Sequence, residues 1–438
     1  MSRIRKSVYI VGGCRSPFLK AVRSPGPFSA AELSVQTVKA LMLRGGISAE
    51  SIEECILGCV IPAPDEANIA RIIALRSGCR ESTPAWTVQR NCASGLQAID
   101  CAWQSIGIGR SGIVLAGGVE VMSRAPLQWN HDLVQWFDQW RRAKNLGCRI
   151  ALLSRLRPTH LKPVVSLLCG LSDPVVNLSM GQTAEILAND FCISRKEMDE
   201  FSMTSHKRLE QAQKSGNLDE ISPVIDSRGQ VYEKDTGLRA DTTVEKLAKL
   251  RPVFDRNGLV TAGNSAQITD GAAMLLLADR EAVKKHGWQP ESRIIDISWA
   301  ALDPRRMGLG PAYAITRLLK NNSLTFDDID LWEINEAFAA QVLACVKAMS
   351  DTDYARKHFD EGVPVGEVPL NLLNVDGGAI SIGHPIGASG ARITLHLSRR
   401  LNRLGGRYGV ASLCIGGGQG GAILIENMAA VKKGGSDD

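Results

Sequence analysis

The chain has 438 residues, enough for two or three domains, with 44% hydrophobic and 22% charged residues. Its formal net charge of +5 is small for this length, and no basic run with interleaved aromatic residues indicates a nucleic-acid-binding protein. Eleven scattered cysteines argue against a disulfide framework, and no apolar run approaches the ~18 residues that cross a bilayer. We therefore expect a globular cytoplasmic protein.

Short apolar runs that end in glycine alternate with helical patterns along the chain, which predicts an α/β fold with buried strands. The first run, near the N-terminus, is too short for a signal peptide and is typical of a strand. A polar amphipathic helix is predicted over 196–214. The predicted strands are 7–11, 113–117, 293–298, 329–333 and 408–414.

Two segments resemble each other and indicate a duplicated unit. Residues 92–102 and 385–395 each contain Ala-Ser-Gly followed by an apolar-periodic helix, and each precedes an apolar strand that ends in glycines. Chance similarity of three small residues is the alternative. The predicted domains are 1–120 plus 251–280 for the first half, 281–438 for the second half, and 121–250 for an inserted loop domain.

A cysteine near a helix start is the first candidate catalytic group. Cys92 precedes a predicted helix, where unpaired backbone N–H groups and the helix dipole favour thiolate over thiol. The small residues beside it leave room for an acyl group. A buried, inert cysteine would fit the same local pattern, and both interpretations stay open at this point.

Three further candidates lie in the second half. His384 is expected on an irregular, exposed loop among glycines, where an imidazole can act as a base near neutral pH. Asn335, at a strand-to-helix junction, fits either a site amide or a plain helix cap. Cys414 ends an apolar strand, and the glycines that follow it, Gly416 first, expose N–H groups that can receive an oxyanion.

Other patterns are rejected as sites. The Gly-x-Gly-x-x-Gly pattern at 107–112 follows a helix and precedes a strand, the reverse of a dinucleotide site. Cys55 and Cys59 have a metal-compatible spacing but no second ligand pair, so no metal is predicted.

Seven motifs together resemble the thiolases, the acetyl-CoA acyltransferase and acetyltransferase family, along nearly the whole chain. Their order and spacing match the family: NCASGLQA (91–98), SMGQTAE (179–185), VTAGNSAQITDGAA (260–273), MGLGPAYA (307–314), NEAFAAQ (335–341), GGAISIGHPIGASGAR (377–392) and CIGGGQGGA (414–422). The resemblance implies two similar βαβαβαββ halves in a five-layered α-β-α-β-α sandwich, each half with a five-stranded mixed sheet. The inserted loop domain would cover coenzyme A (CoA).

The resemblance also implies the role of each site residue in reversible condensation and thiolysis of acyl-CoA. Cys92 takes the acyl group as a thioester, His384 takes the thiol proton, and Asn335 holds a water for the first oxyanion site. Cys414 moves the α-proton, and the backbone N–H groups of Cys92 and Gly416 form the second oxyanion site. Ping-pong kinetics follow, and no metal or redox cofactor is needed beyond the CoA substrates.

For substrate binding, the resemblance indicates Met180, Ser265, Ala266, Met307, Gly308 and Phe338 along the path of the pantetheine and acyl groups. The chain departs from many members at Ala266, where they carry a hydroxyl residue, and at position 179, which is Ser rather than His.

The long apolar insertion resembles the membrane-proximal loop of the trifunctional-enzyme thiolase subunit, although those relatives usually have His in place of Asn335. Residues 127–175 are expected either to contact a membrane or a β-oxidation partner subunit, or to cover the substrate. A homodimer or homotetramer is expected from the family. A ketoacyl-synthase-like condensing enzyme and a catalytically silent, lipid- or partner-binding relative are the alternatives.

Overall fold

A computed structural model describes residues 6–21 and 25–430. The elements of the first half are β1 (Val8–Arg15), β2 (Leu19–Lys20), α1 (Ala30–Gly45), β3 (Glu54–Gly58), α2 (Ile69–Arg76), β4 (Ala85–Val88), α3 (Ser94–Gly107) and β5 (Ile113–Val121). The insertion contains β6 (Leu127–Gln128), α4 (His131–Arg142), α5 (Leu146–Leu153), β7 (Val164–Val165), α6 (Ser166–Gly170), β8 (Ser172–Asp173), β9 (Leu178–Ser179), α7 (Met180–Asp190), α8 (Arg195–Ser215), β10 (Val224–Ile225), β11 (Val231–Tyr232) and α9 (Val244–Ala248).

The chain then returns to the first half with β12 (Thr269–Asp279) and α10 (Arg280–His286). The second half contains β13 (Ser292–Ala301), α11 (Gly310–Asn321), β14 (Leu331–Ile334), α12 (Ala339–Ser350), α13 (Thr352–His358), α14 (Ala379–Ile382), α15 (Ile386–Leu404), β15 (Tyr408–Ile415) and β16 (Gln419–Asn427). All five predicted strands and the helix over 196–214 are present within a few residues of their expected bounds.

Ten strands of the described chain form one hydrogen-bonded sheet in the order β14-β15-β16-β13-β1-β12-β5-β3-β4, with β2 paired to β12. The outer strands β3, β4 and β5 are parallel, as are β14 and β15, whereas β12, β1, β13 and β16 pair antiparallel. A short antiparallel pairing of β1 with β13 joins the two halves, so their sheets are continuous rather than separate.

The strand order repeats between the halves. The series β1-β12-β5-β3 corresponds in order and direction to β13-β16-β15-β14, and both first strands carry a β-bulge after their third paired residue, Ile10 in β1 and Ile294 in β13. The fifth strand of the second half is reduced to one parallel bridge between Trp332 and Leu373. This repeated order, together with the matching bulges, agrees with the predicted duplication.

The sheet faces divide the core into layers. Along β12, Met274 and Leu276 pack with α1 and α2, whereas Leu275 and Leu277 pack with α3 and α15. The strands of the second half also pack one face on α3 and α15 and the other on α11 and α12. Each buried leucine contributes roughly 1.5–3 kcal/mol. The predicted α-β-α-β-α layering is therefore present, with α3 and α15 in the centre.

The two central helices approach closely where they begin. A Cβ at Gly95 of α3 would lie 2.8 Å from the carbonyl oxygen of Gly387, and a Cβ at Gly390 would lie 2.5 Å from the backbone nitrogen of Leu96. Glycine is required at these positions because any side chain would push the helices apart. Cys92 and His384, just before these helices, are thereby brought to the same place.

The insertion carries the most exposed apolar surface. Ten of the 22 exposed large apolar side chains among the described residues lie within 127–175, including Trp129, Phe137 and Ile150. In α4, Trp136 stacks on Trp140 and donates from its indole to the carbonyl of Leu152, which packs α4 on α5. Over residues 6–21 and 25–430, no helix is both long and apolar enough to cross a bilayer.

Candidate active site

Cys92 lies in the tight turn between β4 and α3. The turn requires a left-handed backbone at Asn91, whose φ is 43°, and the Asn91 amide donates to the carbonyl of Gly416 at 2.8 Å. Ser94, one turn on, accepts from the backbone N–H of Arg90 and fixes the start of the helix. The backbone of Gly416 is also close enough to Cys92 to lower the pKa of its thiol. The first cysteine loop is therefore bound directly to the glycine loop that follows Cys414.

Cys92 is half-buried, and its pKa is raised, opposite to the shift that its position before a helix favours. Burial raises the pKa of Cys92 to about 11, because desolvation outweighs the hydrogen bonds from the N–H groups of Gly416 and of Cys92 itself, and the charge of Glu120 adds to the increase. A local dipole argument could not include this burial. The thiol therefore needs a base to become a nucleophile.

His384 is buried, with only 7% of its surface exposed, so the exposed loop expected for it is wrong. The loop is covered because its backbone N–H bonds to the carbonyl of Gln267 and α15 begins two residues later. The imidazole Nδ1 lies 2.6 Å from the Ser389 hydroxyl, which donates to the carbonyl of Pro385 at 3.0 Å. With the hydroxyl proton directed to the carbonyl of Pro385, the hydroxyl oxygen accepts from Nδ1–H, and Nε2 carries the free lone pair.

The charge state of His384 suits a base. Burial and, to a smaller extent, the positive charge of Arg392, two turns along α15, together lower the pKa of His384 to about 4. The imidazole is therefore neutral at physiological pH. It can take a proton without first losing one.

Asn335 lies directly after β14 and contacts His384. Its backbone N–H bonds to the carbonyl of Ser412 in β15, and its side-chain nitrogen is 3.5 Å from both ring nitrogens of His384. The buried Oδ1 of Asn335 has no hydrogen-bond partner among the described residues. A buried amide oxygen without a partner is costly, and this fits the water that the family resemblance places there.

Cys414 ends β15 beside the first cysteine. It is 1% exposed, and its pKa is raised well above the usual value, first by desolvation and then by the neighbouring Cys92. The thiol belongs to a small apolar cluster with Met180, Met307 and Phe338. Cys414 is therefore a resting thiol that can release a proton to a carbanion.

The remaining predicted substrate residues border this cluster. Ser265 pairs with Phe338 in an isolated bridge, and the N–H of Ala266 donates to the carbonyl of Ala337. The carbonyl of Gly308 accepts from the Cys345 thiol at 3.1 Å. All six predicted residues thus lie in or next to the cluster that contains Cys414, and their contact with the substrate stays a prediction.

Sequence reasoning missed four residues at this site. They are Asn91, which holds the carbonyl of Gly416, Ser389, which fixes the imidazole, Phe254, whose ring packs edge-on against Phe338, and Glu120. Glu120 had a readable signal, because it is a carboxylate in an otherwise apolar strand.

The family comparisons agree with this geometry. Residues 8–281 match the thiolase N-terminal domain and residues 288–427 match the thiolase C-terminal domain. The chain belongs to the thiolase family. Human mitochondrial 3-ketoacyl-CoA thiolase is 38% identical over 97% of this thiolase and 99% of its own length, and the mouse mitochondrial trifunctional enzyme subunit beta is 36% identical over 96% and 88%.

Solved structures show the same fold. The crystal structure of human mitochondrial 3-ketoacyl-CoA thiolase superposes with a TM-score of 0.84 at 37% identity, covering 97% of this thiolase and 99% of that chain. That of the Bacillus anthracis acetyl-CoA acetyltransferase gives 0.83 at 38% identity over 98% and 100%. The thiolase fold and the acyltransferase class predicted from the motifs are confirmed. Because both curated relatives are mitochondrial proteins, the cytoplasmic location stays a prediction.

Proposed function

We propose that this thiolase cleaves and forms 3-ketoacyl-CoA thioesters through an acyl group carried on Cys92. The observation that supports this most directly is the joining of the two cysteine loops. The side-chain amide of Asn91, next to Cys92, donates to the carbonyl of Gly416, two residues after Cys414, at 2.8 Å. The neutral imidazole of His384, held by Ser389 in the other half of the chain, completes the group of catalytic side chains. The similarity to human mitochondrial 3-ketoacyl-CoA thiolase supports the 3-ketoacyl-CoA substrate class.

In the thiolysis direction, His384 takes the thiol proton of Cys92 at Nε2, and the sulfur attacks the 3-keto carbonyl carbon. The bond between carbons 2 and 3 breaks, and the acetyl-CoA carbanion takes the proton of the Cys414 thiol. The N–H groups of Cys92 and Gly416 stabilise the negative charge on oxygen during these steps. The high pKa of Cys414 favours this role, because the group is protonated when the carbanion forms.

The second half-reaction transfers the acyl group to CoA. The CoA sulfur attacks the acyl-Cys92 carbonyl, and Cys92 leaves as thiolate. The protons held by His384 and by the CoA thiol restore the Cys92 and Cys414 thiols. The Asn335 amide lies beside the imidazole and would hold the water of the first oxyanion site. These side chains carry every proton and acyl group of the two half-reactions, so the proposal calls on no metal or redox cofactor.

Intact-protein mass spectrometry after mixing with an acyl-CoA tests the acyl carrier. Wild type and Cys414→Ser should gain one acyl mass, and Cys92→Ser should gain none. Cys148→Ser, which removes an exposed cysteine of the insertion, is the matched control and should behave as wild type. Equal acylation of Cys92→Ser and wild type would disprove the assignment.

We also propose that residues 127–175 contact an anionic membrane surface. This segment contains seven Arg or Lys residues against three Asp, so +4 of the net charge of +5 lies in it. Exposed apolar side chains from α4 and α5, among them Phe137 and Ile150, accompany these cations, a combination typical of helices that lie in a membrane interface.

Sedimentation with vesicles tests this contact. Wild type should pellet with phosphatidylserine-rich vesicles, and the double variant Phe137→Asp/Ile150→Asp should not. Leu43→Asp is the control, because Leu43 is 85% exposed but lies in α1. If the double variant pellets as wild type does, the segment serves a partner chain or the substrate instead. Light scattering would test the expected homodimer or homotetramer.

A further inference from the structure

A buried carboxylate lies at the active-site end of the central sheet. Glu120 is the second-last residue of β5 and is fully buried, and its strand neighbours are apolar or glycine. Because burying a carboxylate in a strand core costs several kcal/mol unless its oxygens are bonded, packing alone gives no reason for an acid here.

The two carboxylate oxygens join β5 to two other segments of the site. One accepts from the N–H of Ile61 at 2.9 Å, and the other accepts from the N–H groups of Val60 and Gly387 at 3.0 Å each. Val60 and Ile61 belong to the loop after β3. Gly387 lies in the first turn of α15, three residues after His384.

Close packing also restricts the position of the first turn of α15. The carbonyl of Gly387 is so close to Gly118 and Gly95 that a Cβ at either position would overlap it, at 2.0 and 2.8 Å. Glu120 thus accepts a hydrogen bond from the N–H of Gly387, the residue whose carbonyl lies against the start of α3. A change at Glu120 would therefore shift His384 relative to Cys92.

Charge is the second link between Glu120 and the nucleophile. The carboxylate contacts the Cys59 thiol at 3.8 Å, and its negative charge raises the pKa of Cys92. Burial raises the pKa of Glu120 itself to about 7, against the three backbone N–H donors. The negative charge of Glu120 therefore adds to the desolvation that raises the pKa of Cys92.

We propose that Glu120 is a positioning residue for the thiolase reaction, which holds the first turn of α15, and so His384, at its working distance from Cys92. This proposal rests on the proposed roles of Cys92 and His384. It assigns Glu120 no contact with the substrate.

The test compares Glu120→Gln with Glu54→Gln. Glu54 is equally buried, on the neighbouring parallel strand β3, but it accepts from Ser105, Ser111 and Trp86 at the opposite end. A Gln at position 120 keeps the shape but presents an NH2 group to backbone donors. We expect kcat to fall by about 10- to 100-fold with KM changed less than about threefold, as for a small misplacement of a catalytic group.

A second readout separates positioning from folding. At fixed pH, iodoacetamide should alkylate Cys92 in Glu120→Gln at least about threefold faster than in wild type. The substitution removes the negative charge that raises the pKa of Cys92, so more of the thiol is ionised. Circular dichroism would confirm that both variants are folded, and Glu54→Gln should match wild type in kcat and in Cys92 alkylation. Wild-type kcat and alkylation in Glu120→Gln would overturn the proposal, as would equal losses in both variants. The alkylation result does not need turnover, so it stays interpretable if Cys92 is not the acyl carrier.

Discussion

The Ser389 hydroxyl determines which ring nitrogen of His384 carries no proton. Removing this hydroxyl is therefore the most direct test of the proposed base. The Ser389→Ala variant removes one oxygen and leaves a buried Nδ1–H without its acceptor at 2.6 Å. An unsatisfied buried donor costs about 1–3 kcal/mol. The ring can avoid that cost by carrying its proton on Nε2, but that tautomer cannot accept the Cys92 proton.

The expected loss of activity follows from that cost. At about 1.4 kcal/mol per tenfold, the productive tautomer becomes about 5- to 150-fold less accessible, and kcat/KM should fall by the same factor. The assay is thiolysis of a 3-ketoacyl-CoA, followed by the loss of enolate absorbance. CoA-binding contacts are unchanged, so KM should move little.

Thr394→Val is the matched control for this variant. Thr394 lies in the same helix α15, is equally buried, and its hydroxyl donates to the carbonyl four residues earlier, as Ser389 does, at 2.8 Å. It does not bond to His384. If Ser389→Ala keeps wild-type kcat/KM, or if Thr394→Val loses as much, the tautomer argument is wrong.

Three further outcomes are expected. Cys92→Ser and Cys414→Ser should each lower steady-state thiolysis on the order of 10⁴-fold or more, since each removes a group that no neighbour replaces; near-normal turnover in either would contradict its role. Gly387→Ala should lower the melting temperature, because its Cβ would lie 2.4 Å from the carbonyl of Val119 and such overpacking costs about 1–3 kcal/mol; an unchanged melting temperature would speak against the close contact of α15 with β5. His396 lies between Glu220 and Asp376, and these carboxylates raise its pKa from 6.5 to about 9. The resulting contribution of about 3 kcal/mol to the free energy of unfolding is therefore complete below pH 6.5 and is lost as the pH rises through 9. Urea unfolding from pH 6 to 10 should show that loss in wild type and in His206→Gln, but not in His396→Gln.

The motifs predicted which residue types form the site, and the structure accounts for why they meet. Cys92, Asn335, His384 and Cys414 each follow or end a local element whose start or finish is readable from caps, glycines and apolar periodicity. Those local rules depend on neighbours within a few residues, which a sequence displays directly. The α/β class, the strands and the repeated halves could be predicted for that reason.

The electrostatic state of the site could not be predicted in the same way. Local reasoning favoured the thiolate form of Cys92 and an exposed His384, whereas in the structure the pKa of Cys92 is raised and His384 is buried. Both differences have one cause. Desolvation depends on which distant segments cover a group, and the covering segments here come from the other half of the chain.

The sequence by itself therefore determined which residues are the candidates for the active site of this thiolase: two cysteines, one histidine and one asparagine, each placed at the end of a strand or helix. Only the tertiary structure decided the joining of the two sheets through β1 and β13, the tautomer held by Ser389, and the part played by Glu120. These depend on contacts between residues more than 250 positions apart or on a single hydroxyl proton, and no local pattern of residues encodes either.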